Sequence, residues 1–443
     1  MGDKRTKVLF VSHNHPAVQP GGAEQYALEL YEALRSSEDM EPFFLARAPV
    51  PDVALSPRHA HNVIASVNDD PNQYFMHTDQ ASWNWLFERS NEKGALTRSY
   101  RDLLEAIQPD IVHFQHTLFI GYDAIRVTRN ALPNAPILYT LHDFIPICHR
   151  NGQMVRTIHN RLCREASPRR CHECYPQHSP QLFFMRERFV RSQLSLVDRF
   201  IAPSRFLMQR YVEWGIPPEM IVFEDYGRLP VDPIADSGAD DGGRPRNRFA
   251  FFGQFTPFKG ADLLLEAMKL LGDDFEGHLW IRGANLKVQP QEFQDRFKPL
   301  LEETGDKVTV GGSYNRAQIA DLMASVDWVV VPSIWWENSP LVIQEAFQHG
   351  RPVICSDIGG MAEKVRNGVD GLHFRRGDAD HLAEVIERAA TTPGLWEQLR
   401  AGIPAVHAMD DHVANMKGVY RELMRERGAR STGERGLAGI PGA

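Results

Sequence analysis

The chain has 443 residues, 43 % of them hydrophobic and 10 % aromatic, enough for two or three domains with sizeable cores. Its formal net charge of −8 argues against a general nucleic-acid binder, and its one basic run, Arg244-Pro245-Arg246-Asn247-Arg248, is short. No apolar run approaches the roughly 20 residues of a membrane span, and the N-terminal one lacks a cleavage-site pattern. The expectation is a soluble cytoplasmic protein without a signal peptide, with peripheral contact at the inner face of a membrane left open.

Lys7 to Ser12 reads as a strand, followed by a Pro/Gly loop and a helix from about Ala23 to Leu34. Short apolar strands follow at Asp110–Phe114, Pro136–Leu141, Arg199–Ala202 and Met220–Glu224, with helical patterns between most of them. From Asp232 to Arg248 the chain turns polar and Gly/Pro/Asp-rich, which predicts a linker over 229–248. The α/β pattern then restarts. Strands are predicted at Phe249–Phe252, His278–Arg282, Lys307–Val310, Trp328–Val331 and Pro352–Cys355, and a helix at Ala261–Leu271. A last helix spans about Asp410 to Arg427, and the Gly/Arg/Ser-rich tail 428–443 is expected to be disordered. Strands alternating with helices imply parallel sheets covered on both faces. The predicted architecture is α/β: an N-terminal Rossmann-like domain (1–228), the linker, a second Rossmann-like domain (249–408) and a final helix (409–427), with ligands held in a cleft at carboxyl strand ends.

The most informative segment is Glu337-Asn338-Ser339-Pro340-Leu341-Val342-Ile343-Gln344-Glu345. Ser339 suits a helix N-cap and Pro340 the first helical position, where its missing N–H costs nothing. Glu337 then lies in a loop facing a helix start and Glu345 between one and two turns inside. A helix start attracts phosphate, and flanking carboxylates can accept hydroxyl hydrogen bonds. Phosphate flanked by polyol is the chemistry of a sugar nucleotide. A solvated surface glutamate is the alternative for Glu345. Gly21 and Gly22 open the first helix and would let a phosphate approach the backbone, or else form a plain turn. His142 directly follows a strand, where its imidazole could bond a sugar hydroxyl with Asp143 fixing the tautomer; a structural His–Asp pair is the alternative. Lys259, between Gly253 and Gly260, could place its ammonium on a diphosphate or be an ordinary surface lysine.

These segments resemble glycosyltransferase family 4, the retaining group with the GT-B fold, over nearly the whole chain from Lys7 to about Tyr420. The most specific part is the E-x7-E pair, Glu337 and Glu345, supported by Gly21-Gly22, by Gly253, Lys259 and Gly260 of a G-R-x4-K-G pattern, and by Gly359-Gly360-x2-Glu363. The resemblance implies that Glu337 holds donor-sugar hydroxyls, Glu345 the nucleotide ribose, Lys259 the diphosphate, and that His142 touches the sugar near its reacting face. It also implies that Asn338, Ser339, Pro340 and Leu341 line the donor and that the last helix crosses back to the N-terminal domain. One departure matters: Gln254 stands where the family has arginine, and Arg282 is the candidate substitute.

Cys148, Cys163, Cys171 and Cys174 fall in one stretch beyond His142, with Cys171-His172-Glu173-Cys174 at zinc-knuckle spacing. A structural four-thiolate zinc site is the favoured reading, with free thiols and redox chemistry as alternatives; such a closed site would do no catalysis. The segment Asn68–Arg98, rich in aromatics, is expected on the acceptor side or in the N-terminal core. The functional expectation is a hexosyltransferase-like enzyme needing no catalytic metal. It would move sugar from a UDP- or GDP-sugar to a sugar or lipid-linked acceptor, with no nucleic-acid partner. The rivals are a nucleotide-sugar epimerase or hydrolase of the same fold, and a catalytically silent binding scaffold.

Overall fold

A computed structural model describes residues 5–19, 21–49, 63–67, 70–78, 80–91, 93–231, 244–283 and 286–437. The chain divides into two compact units: Met1–Pro203 with Leu207–Leu229 and Ala408–Ala443, and Ser204–Phe206 with Pro230–His407.

The first unit is built on an eight-stranded sheet. Its strands are β1 (Thr6–Ser12), β2 (Met40–Pro49), β3 (Ile64–Val67), β4 (Asp70–Thr78), β7 (Ile111–Phe114), β8 (Ile137–Thr140), β9 (Arg199–Ala202) and β10 (Ile221–Phe223). A small hairpin of β5 (Trp83–Asn84) and β6 (Arg89–Ser90) stands apart. The order is β10-β9-β8-β7-β1-β2-β4-β3, parallel except for the β3–β4 edge pair. The helices are α1 (Gly22–Arg35), α2 (Lys93–Ile107), α3 (Asp123–Ala131), α4 (Pro168–Cys174), α5 (Pro180–Leu194) and α6 (Arg205–Trp214), the first two residues of α6 grouping with the second unit. The central strands are buried runs such as Val8-Leu9-Phe10-Val11 and Ile111-Val112, as a sheet covered on both faces demands.

The second unit has a six-stranded parallel sheet in the order β13-β12-β11-β14-β15-β16. Here β11 is Arg248–Phe252, β12 His278–Arg282, β13 Val308–Gly311, β14 Trp328–Val331, β15 Val353–Ser356 and β16 Gly371–Phe374. Its helices are α7 (Ala261–Leu270), α8 (Gln291–Glu303), α9 (Ile319–Ala324), α10 (Leu341–Gln348), α11 (Gly359–Lys364), α12 (Ala379–Thr391) and α13 (Leu395–Ala401). Strand alternation splits the core in two. Phe249, Phe251, Leu279 and Ile281 face α7, α8, α12 and α13. Ala250, Phe252, Val329 and Cys355 face α9, α10 and α11. Cys355 is thus a core thiol with no part in the other cysteines' chemistry.

The last helix, α14 (Met409–Leu437), groups with the first unit. Tyr26 on α1 bonds His412 at 2.9 Å, and Tyr420 bonds His113 of β7 at 2.8 Å. The helix runs past Arg427 to Leu437, beyond its expected end, so the tail from Gly428 is helical rather than disordered as far as Leu437. A single glycine costs a helix only about 1 kcal/mol, too little to stop one already propagating through Arg- and Glu-rich sequence. Residues 438–443, and 232–243 of the expected linker, lie outside the described residues.

The basic run at Arg244 to Arg248 is internal structure. The side chain of Asp327, with no solvent exposure, takes two bonds from Arg244 at 2.6 and 3.0 Å and the Arg248 N–H at 3.0 Å, with Arg246 3.8 Å away. Burial pushes the Asp327 carboxyl above its ordinary value, and the arginines only partly restore it. Asp327→Ala should remove the buried anion shared by Arg244 and Arg248, while Arg246 keeps Glu397 at 3.0 Å, and destabilise the second unit by roughly 2–4 kcal/mol. Denaturant titration of the variant beside the parent reads this directly.

Candidate functional site

In the second unit, the carboxyl ends of β11 and β14 are drawn together by a contact that admits no side chain. Gly260 has φ +74°, and a Cβ there would strike the carbonyl of Pro332. The Ile334 N–H also bonds the Phe258 carbonyl at 2.9 Å. This seats Lys259 beside Glu337. Glu337 Oε1 accepts from Lys259 Nζ at 2.6 Å, from Ser333 Oγ at 2.7 Å and from Trp335 Nε1 at 2.9 Å. The carboxylate is 5 % exposed, and its Oε2 takes no hydrogen bond among the described residues. One oxygen is therefore locked by three donors while the other keeps its lone pairs.

Glu337 runs straight into α10. The helix begins at Leu341 with Pro340 as N-cap, one residue later than the Ser339 cap and Pro340 start expected from sequence. The Asn338 side chain accepts the Ser339 N–H. The start of α11 closes over this loop. The Gly360 N–H donates to the Glu337 carbonyl at 2.8 Å, and a Cβ on Gly360 would collide with the Asn338 carbonyl. Glu363 then accepts the N–H groups of Arg205 and Phe206 at 2.8 Å each. Glu345 is half-buried on α10, and its charge adds to burial in raising the Tyr314 phenol.

Gln254 is exposed in the loop after β11. The Arg282 guanidinium lies over Gly311 of β13, on the side of β12 away from β11. A strand end does not fix where a long side chain leans. The arginine tied to the Glu337 loop is Arg376, whose Nε donates to the Ile334 carbonyl at 2.6 Å. Following β16, it carried no motif to mark it.

In the first unit, Gly21 is the N-cap of α1, with extended backbone. Its missing Cβ makes room for the carboxylate of Glu24, which folds back over it. Glu24 also accepts from His13 Nε2 at 3.0 Å. Burial pushes this carboxyl up, but His13, the residue's own N–H and His116 outweigh it and hold it below its ordinary value. The expected phosphate seat at Gly21-Gly22 is thus already filled by the chain's own anion.

His142 is buried, with Nδ1 accepting from the Tyr226 hydroxyl at 2.6 Å and Nε2 on Gln115 Oε1 at 2.9 Å. Burial, then the neighbouring histidines, push its pKa well below the ordinary value, so the ring is neutral. Asp143 does not orient it. That carboxylate bonds His116 at 3.0 Å, and although burial alone would lower His116, Asp143 raises it overall. His13 and His116 lie 4.3 Å apart, forming a carboxylate–imidazole–imidazole–carboxylate array from Glu24 to Asp143. His13 and His116 follow β1 and β7 as His142 follows β8, so the strand-end rule used for His142 could have found them. Of the aromatics expected on the acceptor side, Trp83 is buried near Phe119 and Trp85 is 49 % exposed.

The four cysteines gather without closing. The hairpin around the Val155–Leu162 bridge carries Cys163, whose N–H bonds the Met154 carbonyl at 2.7 Å, and α4 carries Cys171 and Cys174. Burial raises Cys148 to about 11 and Cys171 to about 12, each also feeling another of these thiols. Among the described residues no three of the sulfurs lie within 4.8 Å of one another.

Two Rossmann-like α/β units, with a paired carboxylate and ammonium at strand ends of the second, define the GT-B class. Sucrose-phosphate synthase from Thermosynechococcus elongatus matches with a TM-score of 0.70 at 20 % identity, over 95 % of this chain and 100 % of that one. Anabaena HepE in complex with UDP and glucose matches with a TM-score of 0.63 at 18 % identity, over 94 % and 100 %. The family model for Glycosyltransferase Family 4 matches residues 20–223, and that for Glycosyl transferases group 1 matches residues 246–392. The chain belongs to the family 4, group 1 glycosyltransferases. It is 28 % identical over 212 residues to the lipopolysaccharide 1,2-N-acetylglucosaminetransferase of Salmonella typhimurium, covering 43 % of this chain and 52 % of that enzyme. It is 34 % identical over 198 residues to the D-inositol 3-phosphate glycosyltransferase of Mycolicibacterium smegmatis, covering 42 % and 44 %. These curated relatives are matched over about half of their length or less.

One buried acid in the first unit has a consequence for stability. Glu88 faces Arg186 at 3.3 Å, with His116 and Asp143 nearby, and burial raises its carboxyl to about 7 despite the arginine. Between 4.5 and about 7 the unfolded chain has lost this proton and the native chain keeps it, so stability falls as pH rises through that window. Glu88→Gln should flatten this stretch of the stability–pH profile and be the more stable form at pH above about 7, by roughly 1 kcal/mol or more. Chemical denaturation across the pH range measures it.

Proposed function

We propose that the protein is a retaining glycosyltransferase that takes a sugar from a nucleoside diphosphate and passes it to an acceptor hydroxyl in glycoconjugate synthesis. The observation that carries this reading is Glu337, with Oε1 fixed by Lys259, Ser333 and Trp335 and Oε2 left for substrate, immediately before a helix start. Lys259 counters the diphosphate, and the α10 start adds N–H groups where the charge develops. Glu337 Oε2 accepts from hydroxyls of the transferred sugar, and Glu345 accepts from the ribose. The acceptor attacks the face from which the diphosphate leaves, and a departing phosphate oxygen takes its proton. The protein supplies positioning and charge stabilisation, with protein cations rather than a divalent ion on the leaving group. Arg376, half-buried and tied to the Glu337 loop, is the second cation in place of the family's arginine.

HepE has been seen with UDP and UDP-glucose, so UDP-sugars head the donors to test, followed by GDP-sugars. Donor binding should raise the melting temperature by mass action. Glu337→Ala should lower kcat by about a hundredfold or more, since a bond to the reacting sugar strengthens in the transition state. Lys259→Ala should cost roughly a thousandfold, and Glu345→Ala should act mainly on nucleotide affinity. Arg376→Ala should weaken diphosphate binding while Arg282→Ala should not; the reverse ranking would return the role to Arg282. Wild-type kinetics in both glutamate variants would sink the assignment of this loop. Incubation with donor alone separates transfer from epimerisation or hydrolysis.

The cysteine module is proposed to hold one structural zinc ion, supported by the knuckle spacing and by four thiols within electrostatic reach of one another: Cys148 ahead of the hairpin, Cys163 at its end, and Cys171 and Cys174 on α4. Binding would draw the sulfurs in from their present spacing and release thiol protons, and it would do no chemistry on the sugar. Elemental analysis of protein purified without chelator should give about one equivalent of metal. Metal far below that, with four freely titrating thiols, would exclude the site.

A further inference from the structure

The second half of the first unit's sequence is charged unlike the rest of the chain. Residues 149–191 carry nine arginines and three glutamates, with no lysine or aspartate, in a protein whose net charge is −8. The glutamates are taken: Glu173 by Arg156, Glu165 by Arg170 and Glu187 by Arg191. Arg161, Arg164, Arg169 and Arg188 are exposed, and none makes an ion pair among the described residues. The module therefore presents a net positive field to solvent.

The helix at its heart exposes apolar bulk. α5 buries Phe183, Arg186, Val190 and Leu194 along one stripe. Its other side shows Leu182 at 40 %, Phe184 at 51 % and Met185 at 54 % exposure, with Arg188 one turn on from Phe184. Leu182 with Met185, Met185 with Arg188, and Phe184 with Arg188 stand three or four residues apart and so adjoin on the helix surface, which links the apolar side chains into one strip through Arg188. Trp85 lies close by. Phe87, two residues further on, packs edge-on against Phe189 of α5 at 5.8 Å, and the Trp85 backbone faces the His149 ring, which itself contacts Phe183 at 5.9 Å. Trp85 is half exposed. Aromatic and aliphatic side chains on one helix face, edged by unpaired arginines, match the interface between headgroups and acyl chains.

We propose that the exposed face of α5, with Trp85 beside it, docks the protein onto an anionic lipid surface. The apolar side chains enter the headgroup boundary, while Arg188 and the arginines of the module meet lipid phosphates. No helix among the described residues is long and apolar enough to cross a membrane, and surface seating requires none. The charge decides against a second copy of the chain, since symmetric pairing would bring unpaired arginines face to face. The apolar trio decides against nucleic acid, whose backbone offers nothing for Leu182, Phe184 and Met185 to bury against.

Co-sedimentation of the full chain with vesicles tests this, using phosphatidylcholine alone and phosphatidylcholine mixed with phosphatidylglycerol. The protein should pellet with the mixed vesicles, much less with the neutral ones, and less as salt is raised. Leu182→Ser with Phe184→Ser and Met185→Ser should weaken partition by about tenfold or more, and Arg188→Gln by about fivefold. All four side chains face solvent, so an unchanged melting temperature and an unchanged donor-induced shift will show that the fold and the donor loop are intact. Trp85 fluorescence should be quenched by brominated lipid in the parent, with Trp85→Phe as the control. Three results would overturn the proposal: no pelleting with either vesicle, equal pelleting of the triple-serine variant, or dimerisation or DNA binding abolished by these substitutions while vesicles are ignored.

Discussion

The carbonyl of Pro332 occupies the space that a Cβ on residue 260 would need, and the seating of Lys259 beside Glu337 follows from that contact. Glycine at 260 lets the loop after β11 touch the loop after β14, and its left-handed backbone turns the chain into α7 at the same point. Lys259 is then delivered to Glu337 by covalent geometry, one residue before the contact. The indole of Trp335 and the hydroxyl of Ser333 complete a cage around one carboxylate oxygen. A carboxylate held this way keeps its orientation before any ligand arrives, which is the preorganisation that charge stabilisation needs. The glycines of α11 repeat the device, bringing backbone against backbone at Asn338.

Much of the frame was legible because central parallel strands are continuous apolar runs. KVLFVS, DIVHF and WVVV read as strands without help from their neighbours. β2 and β4 did not: MEPFFLARAP and DPNQYFMHT mix proline, charge and amide into the run, and only pairing toward the sheet edge makes strands of them. In the loops after β11 and β14, residue types at fixed spacing singled out Lys259, Glu337 and Glu345 as candidates. The spacing could not say which atoms meet. The start of α10 lies one residue later than the cap residues alone suggest. Arg282 and Arg376 show the same limit from two sides. Each is a long side chain near a strand end, and packing against Gly311 or the Ile334 carbonyl decides which belongs to the loop.

The first unit was read least well where it is most polar inside. Its carboxyl strand ends hold four histidines, three carboxylates and Arg186 in surroundings with little water. In such surroundings each proton position depends on every neighbour, so a dipeptide such as His142-Asp143 does not reveal its own pairing. The two residues turn to different partners: His142 to Tyr226 and Gln115, Asp143 to His116. Burial keeps His142 neutral while Asp143 favours the charged form of His116, so two imidazoles one strand apart carry opposite proton affinities.

Glu24 gives the start of α1 a different meaning from that of an open helix terminus. The chain has placed its own carboxylate on the helix's positive end, a tethered counter-ion at very high effective concentration that diffusion cannot remove. Any second anion brought there must displace it or endure its repulsion, whereas a neutral hydroxyl can approach and even donate to it. The charge at this helix start is therefore set by the side chain at position 24, not by the glycines that make room for it.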